Sequence, residues 1–354
     1  MKYIKLTYSE LAFSIITFVG LLLAILGSVF LPNRFFNDVP AILQYVKPGL
    51  IGSYHFTSFF YNIATPLGKF PMMLLGFIQF LTIIILLIKI GIPKKFHKIN
   101  LKNLIVYSSF FVLAIYLCMP TKEYINFIYM SIVVLIYNST KLNYNIKKRI
   151  SLFLIFLYGV FFRPYYLLIG VLIVFLYLFN KFRIKNKAFM SIIFSLIFVI
   201  IISVIHNFTK DQYLTIKTRH NANVVRVERD NVNTAIQAPI KVDSWYDETI
   251  SILYGFFSVN VPFNGFKHIK SPHVIAFVIW EIFMFILLYH EYKKAMKNKE
   301  FKDNSLLFYF FFSFIIVQGI FEPDLGSAVR HKIGFFPVIY YLLYHRTLGQ
   351  KSIN

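Results

Sequence analysis

Ten apolar stretches run along this chain, and the loops between them are by turns rich and poor in lysine. The stretches fall near 11–31, 71–88, 104–119, 123–138, 150–162, 165–180, 188–206, 273–291, 305–320 and 333–345. A helix rises ~1.5 Å per residue, so about 20 apolar residues cross a bilayer, and fewer suffice where it thins. The pattern predicts an all-α, polytopic membrane protein with one membrane domain over 1–354. The connections holding Lys2 and Lys5, Lys89–Lys102, Lys141–Arg149, Lys181–Lys187, Lys293–Lys302, and Arg346 with Lys351 carry 22 of the 37 Lys and Arg. By the positive-inside tendency these six are cytoplasmic, and both termini lie with them.

Composition points the same way. Apolar residues make up 58% of the chain and charged residues 15%, outside the range of an ordinary soluble globule. The net charge of +22 sits mostly in loops assigned to the cytoplasm, where lysine sets topology and meets anionic lipid. Nucleic-acid binding is therefore a poor explanation of the surplus. The one cysteine, Cys118, lies inside a span, which leaves no disulfide framework and no cysteine-based metal site. The first apolar run lacks a small-residue cleavage pattern after Leu31 and is expected to stay as a helix.

Sparse charges then stand out on the other side: Arg34 and Asp38, Lys122 and Glu123, Arg163, Glu322 and Asp324, Arg330 and His331. A charge at the lip of an apolar helix is costly unless it has a partner or a task. Some of them could equally snorkel to headgroups or pair with one another.

Two outer connections are too long for turns. The first, 32–70, is apolar but broken by Pro40, Pro48, Gly49, Gly52 and Pro66, so an interfacial or re-entrant helix is expected. Asp38 and Tyr45 stand two helical turns apart there and would share a face if the segment is helical. The second, 207–272, crowds Arg219, His220, Arg226 and Arg229 together, relieved by Glu228 and Asp230. Guanidinium forks suit phosphate, so Arg219 and Arg226 are expected to bind an anion, against the plainer alternative of a solvated loop. The stretch Ser251 to Phe263 is expected to form a lid or re-entrant hairpin.

Three short signatures flank these loops. MPTKEYINF opens the fourth span, with Thr121 as N-cap and Glu123 in the first turn; capping does not explain Lys122, whose charge opposes the dipole. FFRPYY joins the fifth and sixth spans and holds Arg163 at the lip, with Pro164 starting the next helix. FEPDLGSAVRHK joins the ninth and tenth spans and gathers two carboxylates, an arginine and a histidine, enough for acid/base work beside a bound phosphate. Glu281 falls mid-span and should face the bundle interior, as a helix–helix hydrogen bond or, less readily, as an ion-coupling group. No Walker loop, dinucleotide fingerprint, zinc spacing or GxSxG motif is present, and no repeat suggests a two-halved transporter.

Asp38 with Tyr45 after the first span, the TKE element, the arginine-bearing outer loop and D-x-x-S-x-x-R-H (Asp324, Ser327, Arg330, His331) together resemble one group. The group is the O-antigen and capsular polysaccharide polymerases of the Wzy and exopolysaccharide-polymerase type. The resemblance covers the whole chain as architecture and four short patches as sequence. It implies a GT-C-like fold in the cytoplasmic membrane and a metal-independent glycosyl transfer on its outer face, without a cofactor. A growing glycan would move from undecaprenyl pyrophosphate to the end of a new lipid-linked repeat unit. Undecaprenyl-pyrophosphate-linked glycans and membrane lipid are the implied partners, with a flippase and chain-length regulator of the same pathway. Under this resemblance His331, then Glu123, then Asp38 are candidate bases. Arg163, Arg219, Arg226, Arg330, Lys122 and Asp324 are candidates for holding pyrophosphate and glycan. Two other readings stand beside it: a lipid-phosphate-sugar-dependent glycosyltransferase with Asp38 as base, and a flippase or transporter centred on Glu281.

Overall fold

The computed structural model describes residues 6–182, 184–227, 234–297 and 301–348; at 33–34, 225–227 and 301–303 it describes the backbone alone. Among these residues the chain is helical, with two isolated bridges and no strand. In chain order the principal helices are α1 Tyr8–Phe30, α2 Met72–Ile90, α3 Leu101–Leu117, α4 Lys122–Asn138, α5 Tyr144–Phe161 and α6 Tyr165–Phe179. They continue with α7 Lys187–Lys210, α8 Trp245–Asn260, α9 Pro272–Met296, α10 Phe301–Phe321, α11 Leu325–Gly334 and α12 Phe336–Tyr344. Every apolar stretch expected from the sequence coincides with one of them. Five are long and apolar enough to cross a membrane: α1, α2, α7, α9 and, within α10, Asn304–Phe321. The chain is thus a multi-pass helical membrane protein.

Local chemistry places the helix starts. Thr7 and Glu10 form a reciprocal capping box at α1, and Ser244 and Asp247 form another at α8. Asn100, Thr121 and Asn143 each accept a backbone N–H three residues on, opening α3, α4 and α5. The cap at Asn143 starts α5 six residues before the expected span, so Lys147, Lys148 and Arg149 ride on the helix. Their long stems can lie along it with the charges in water.

The chain divides into two compact units, 1–164 with 331–354, and 165–330. In the first, α1 packs on α2 and α3, α2 on α4, and α12 on α4. Small residues set the α1–α2 approach: a Cβ at Gly76 would stand 2.5 Å from the Ala24 carbonyl oxygen, and one at Gly20 2.5 Å from the Phe80 ring. Close backbone approach of this kind is how helices gain contact where lipid removes the hydrophobic drive. The opposite face of α1 presents Leu11, Ile15, Phe18, Leu22 and Leu26 outward at helical spacing, as a lipid-facing surface does. In the second unit α10 is buried along almost its whole length and packs on α6 and α8.

Three expectations about the loops change. The 32–70 connection is a chain of short helical turns, with α-helix at Ser53–Phe59 and π-helix at Ala41–Tyr45 and Phe60–Ala64. Its wider π turn sends Tyr45 outward, 78% exposed, while Asp38 turns inward, so the two do not share a face. Residues 251–260 form the second half of α8, with Ile252, Gly255, Phe256 and Val259 buried, rather than a hairpin. The FEPDLGSAVRHK element is only in part a loop: Glu322–Asp324 connect the helices, and α11 begins at Leu325 and carries the rest as helix.

Candidate functional site

The first unit brings five of the expected residues together around the first turn of α4. Thr121 caps that turn and fixes its direction, which sends Glu123 inward, where it is fully buried. Arg163 arrives from the end of α5. That helix stops because Pro164 cannot continue it, and both Phe162 and Arg163 donate their backbone N–H to the Tyr158 carbonyl. The Arg163 guanidinium, 4% exposed, reaches Glu123 with Nη2 2.6 Å from Oε1. His331, on α11, puts Nε2 3.3 Å from the same oxygen. Gly334 permits this: a Cβ there would stand 2.9 Å from Asn126 Nδ2 and 3.2 Å from the Glu123 carbonyl oxygen. The end of α11 can therefore lie directly on α4.

Lys122, beside Glu123, begins a second cluster. Its Nζ lies 4.0 Å from Asp38 Oδ2 and 3.6 Å from the centroid of the Tyr54 ring. Tyr54 in turn donates its hydroxyl to Asp38 Oδ1 at 2.9 Å. Tyr54 was not legible as a site residue, because one aromatic among 24 tyrosines and 42 phenylalanines carries no signal. Lys122 and Asp38 keep 12% and 15% of their side chains exposed, and His331 keeps 15%. These edges are reachable, whereas Glu123 is not.

The arrangement has a clear chemical sense. The buried Glu123 carboxylate pairs with a guanidinium, and the imidazole beside it is oriented by the same oxygen. His331, met at Nε2 by Glu123 and 15% exposed, belongs to the residue type that most readily exchanges a proton with a bound hydroxyl. Glu123 is fully buried and touches the histidine, whose own edge is exposed.

The remaining expected residues lie elsewhere. Arg219 is 3% exposed inside the second unit, where Nη1 donates to the Gly319 carbonyl at 2.8 Å and Nη2 to the Ser251 carbonyl and hydroxyl. Its fork is occupied by backbone and serine, so the anion-binding expectation gives way to a cross-link between α8 and α10. Burial pulls its pKa down to about 10, with Glu248 opposing the shift. Glu248, also buried, accepts from Ser203, from Thr215 N and from the Thr215 hydroxyl, and burial raises its pKa. Asp324 accepts from Ser327 N at 2.8 Å and so caps α11, which accounts for it without a substrate. Glu322 is fully buried and receives the Ser327 hydroxyl and Gln318 Nε2. Arg330 is half-buried on α11, in the second unit. Arg226 lies on the short helix Asn221–Val227 with its side chain outside the described residues, as Glu228, Arg229 and Asp230 are entirely. Glu281 is 3% exposed on α9, turned inward as its mid-span position requires.

No family model, curated protein or solved structure matches this chain.

Proposed function

We propose that this protein is a membrane glycosyltransferase that polymerises lipid-linked oligosaccharide repeat units on the outer face of the cytoplasmic membrane. The observation that carries the reading is the convergence of Glu123, Arg163 and His331, drawn from three separate signatures, on one carboxylate oxygen. Five helices long and apolar enough to cross a membrane and the distribution of lysine support a multi-pass bundle with the first turn of α4 on the outer side; ten crossings and a GT-C-like fold belong to the same reading.

The chemistry asks for a base and for positive charge. The His331 imidazole takes the proton of the acceptor hydroxyl, whose oxygen forms the new bond to the anomeric carbon of the donor glycan. The bond from that carbon to pyrophosphate breaks, and polyprenyl pyrophosphate leaves with the electron pair. Lys122 and Arg163 supply positive charge beside the leaving group. Asp38, held by Tyr54 and Lys122, is placed to accept a sugar hydroxyl.

Deleting the gene in its source strain tests this. The expected phenotype is a surface glycan one repeat long, restored to full length by the wild-type gene and not by His331→Ala. Repeat units accumulating only inside the cell would overturn the enzyme reading in favour of a flippase. Long chains in the deletion strain would overturn both.

A further inference from the structure

A cavity of about 380 Å³ opens in the second unit, between the N-terminal end of α7 and the C-terminal end of α9. Three lysines line it, Lys187 from α7 with Lys293 and Lys297 from the end of α9, and among the described residues no carboxylate does. Its apolar wall is Phe189, Tyr289 and Met296. Lys293 and Lys297 are exposed, and Lys187 is half-buried and braced by donating Nζ to the Asn180 carbonyl. Asn186 adopts a left-handed conformation, φ 54°, and leaves the first turn of α7 without a side-chain cap, so the positive end of the helix faces the same space.

Both helices are long and apolar enough to span a bilayer, and the cavity lies at one end of each. That is the depth of the headgroups whichever way the chain is inserted. An outward apolar face of α7 runs away from the cavity through Phe189, Phe194, Ile197 and Ile201, as an acyl chain below a bound headgroup would require. Three ammonium groups sharing one concave space repel one another unless an anion joins them. Lysine serves phosphate as a point charge.

We propose that this pocket binds a phosphate-bearing anion, whose two sources are a phospholipid headgroup and a soluble organic phosphate. Basic pockets between membrane helices take phosphate headgroups by this same combination of charge and apolar wall. The inference is independent of the glycosyltransferase reading, since it uses none of the residues that reading assigns.

Thermal unfolding of the detergent-purified full chain, titrated with phosphatidylglycerol, phosphatidylcholine or glycerol 3-phosphate, tests it. Phosphatidylglycerol should stabilise the protein and phosphatidylcholine should not. Lys293→Gln with Lys297→Gln should weaken the phosphatidylglycerol effect roughly tenfold or more, while Lys293→Arg with Lys297→Arg should retain it. Stabilisation by glycerol 3-phosphate as strong as that by the lipid would identify the soluble source; a lipid-only effect would identify the headgroup. No stabilisation by either phosphate would overturn the proposal. So would an equal loss in Lys94→Gln with Lys95→Gln, a control pair exposed in the other unit, because the effect would then be surface charge alone.

Discussion

Glu123 is fully buried and shares one oxygen with an arginine and a histidine, so each partner's removal has a different consequence. Arg163→Ala strands a buried carboxylate, a change that costs about 3–5 kcal/mol in comparable pairs, and the protein should accumulate poorly. Arg163→Lys keeps the charge but not the planar fork, so it should accumulate better than Arg163→Ala while still shortening the glycan. His331→Asn leaves the buried pair intact, and near-normal protein levels with one-repeat glycan are expected. Glycan profiles read beside immunoblots separate these outcomes. Long chains in His331→Asn at normal protein level would remove the histidine from the chemistry. Tyr54→Phe should have a milder effect, since Lys122 still faces Asp38 after the hydroxyl is lost.

At the scale of elements, α8 and α10 meet through two glycines and one arginine. A Cβ at Gly255 would stand 1.9 Å from Arg219 Nη1 and 2.0 Å from the Gly319 carbonyl oxygen, and one at Gly319 would stand 2.7 Å from Phe256 Cα. Backbone cannot yield as a flexible side chain can, so Gly255→Ala and Gly319→Ala should each destabilise the protein by about 1–3 kcal/mol, read as a lower melting temperature. Glu248, at the other side of the knot, gives a dependence on pH. Burial lifts its folded pKa above the unfolded value, so its contribution is complete at low pH and is lost as pH rises through the folded pKa. Melting temperatures measured upward from about pH 4.5 should therefore fall, and Glu248→Gln should flatten that slope. A slope unchanged in the variant would assign the titration to another group.

For the whole molecule, the decisive measurement is topology. The native Cys118 is buried, so single cysteines can be introduced against a quiet background. Asn221→Cys and Lys241→Cys, at exposed positions of the 207–272 connection, should react with an impermeant maleimide in intact spheroplasts. Lys98→Cys, exposed in a lysine-rich connection, should react only after lysis. The inverse pattern would put the Glu123 cluster on the cytoplasmic side and remove the outer-face chemistry.

The sequence alone determined the helical class, the positions of the apolar helices and several of their caps, because hydropathy and capping act over a few residues and are written locally. It also nominated Glu123, Arg163 and His331, since isolated charges beside apolar helices are visible without a fold. What it could not decide was which charges meet. Arg163 lies 40 residues from Glu123 and reaches it through the packing of α5 on α4; His331 reaches it because Gly334 lets α11 lie on that turn. Arg219, by contrast, looked like an anion ligand in a polar loop and proved to be a buried tie to the backbone of α10. A guanidinium reads the same in either setting. Only the tertiary structure says whether its fork meets solvent or a carbonyl, because burial depends on helices packed from distant parts of the chain.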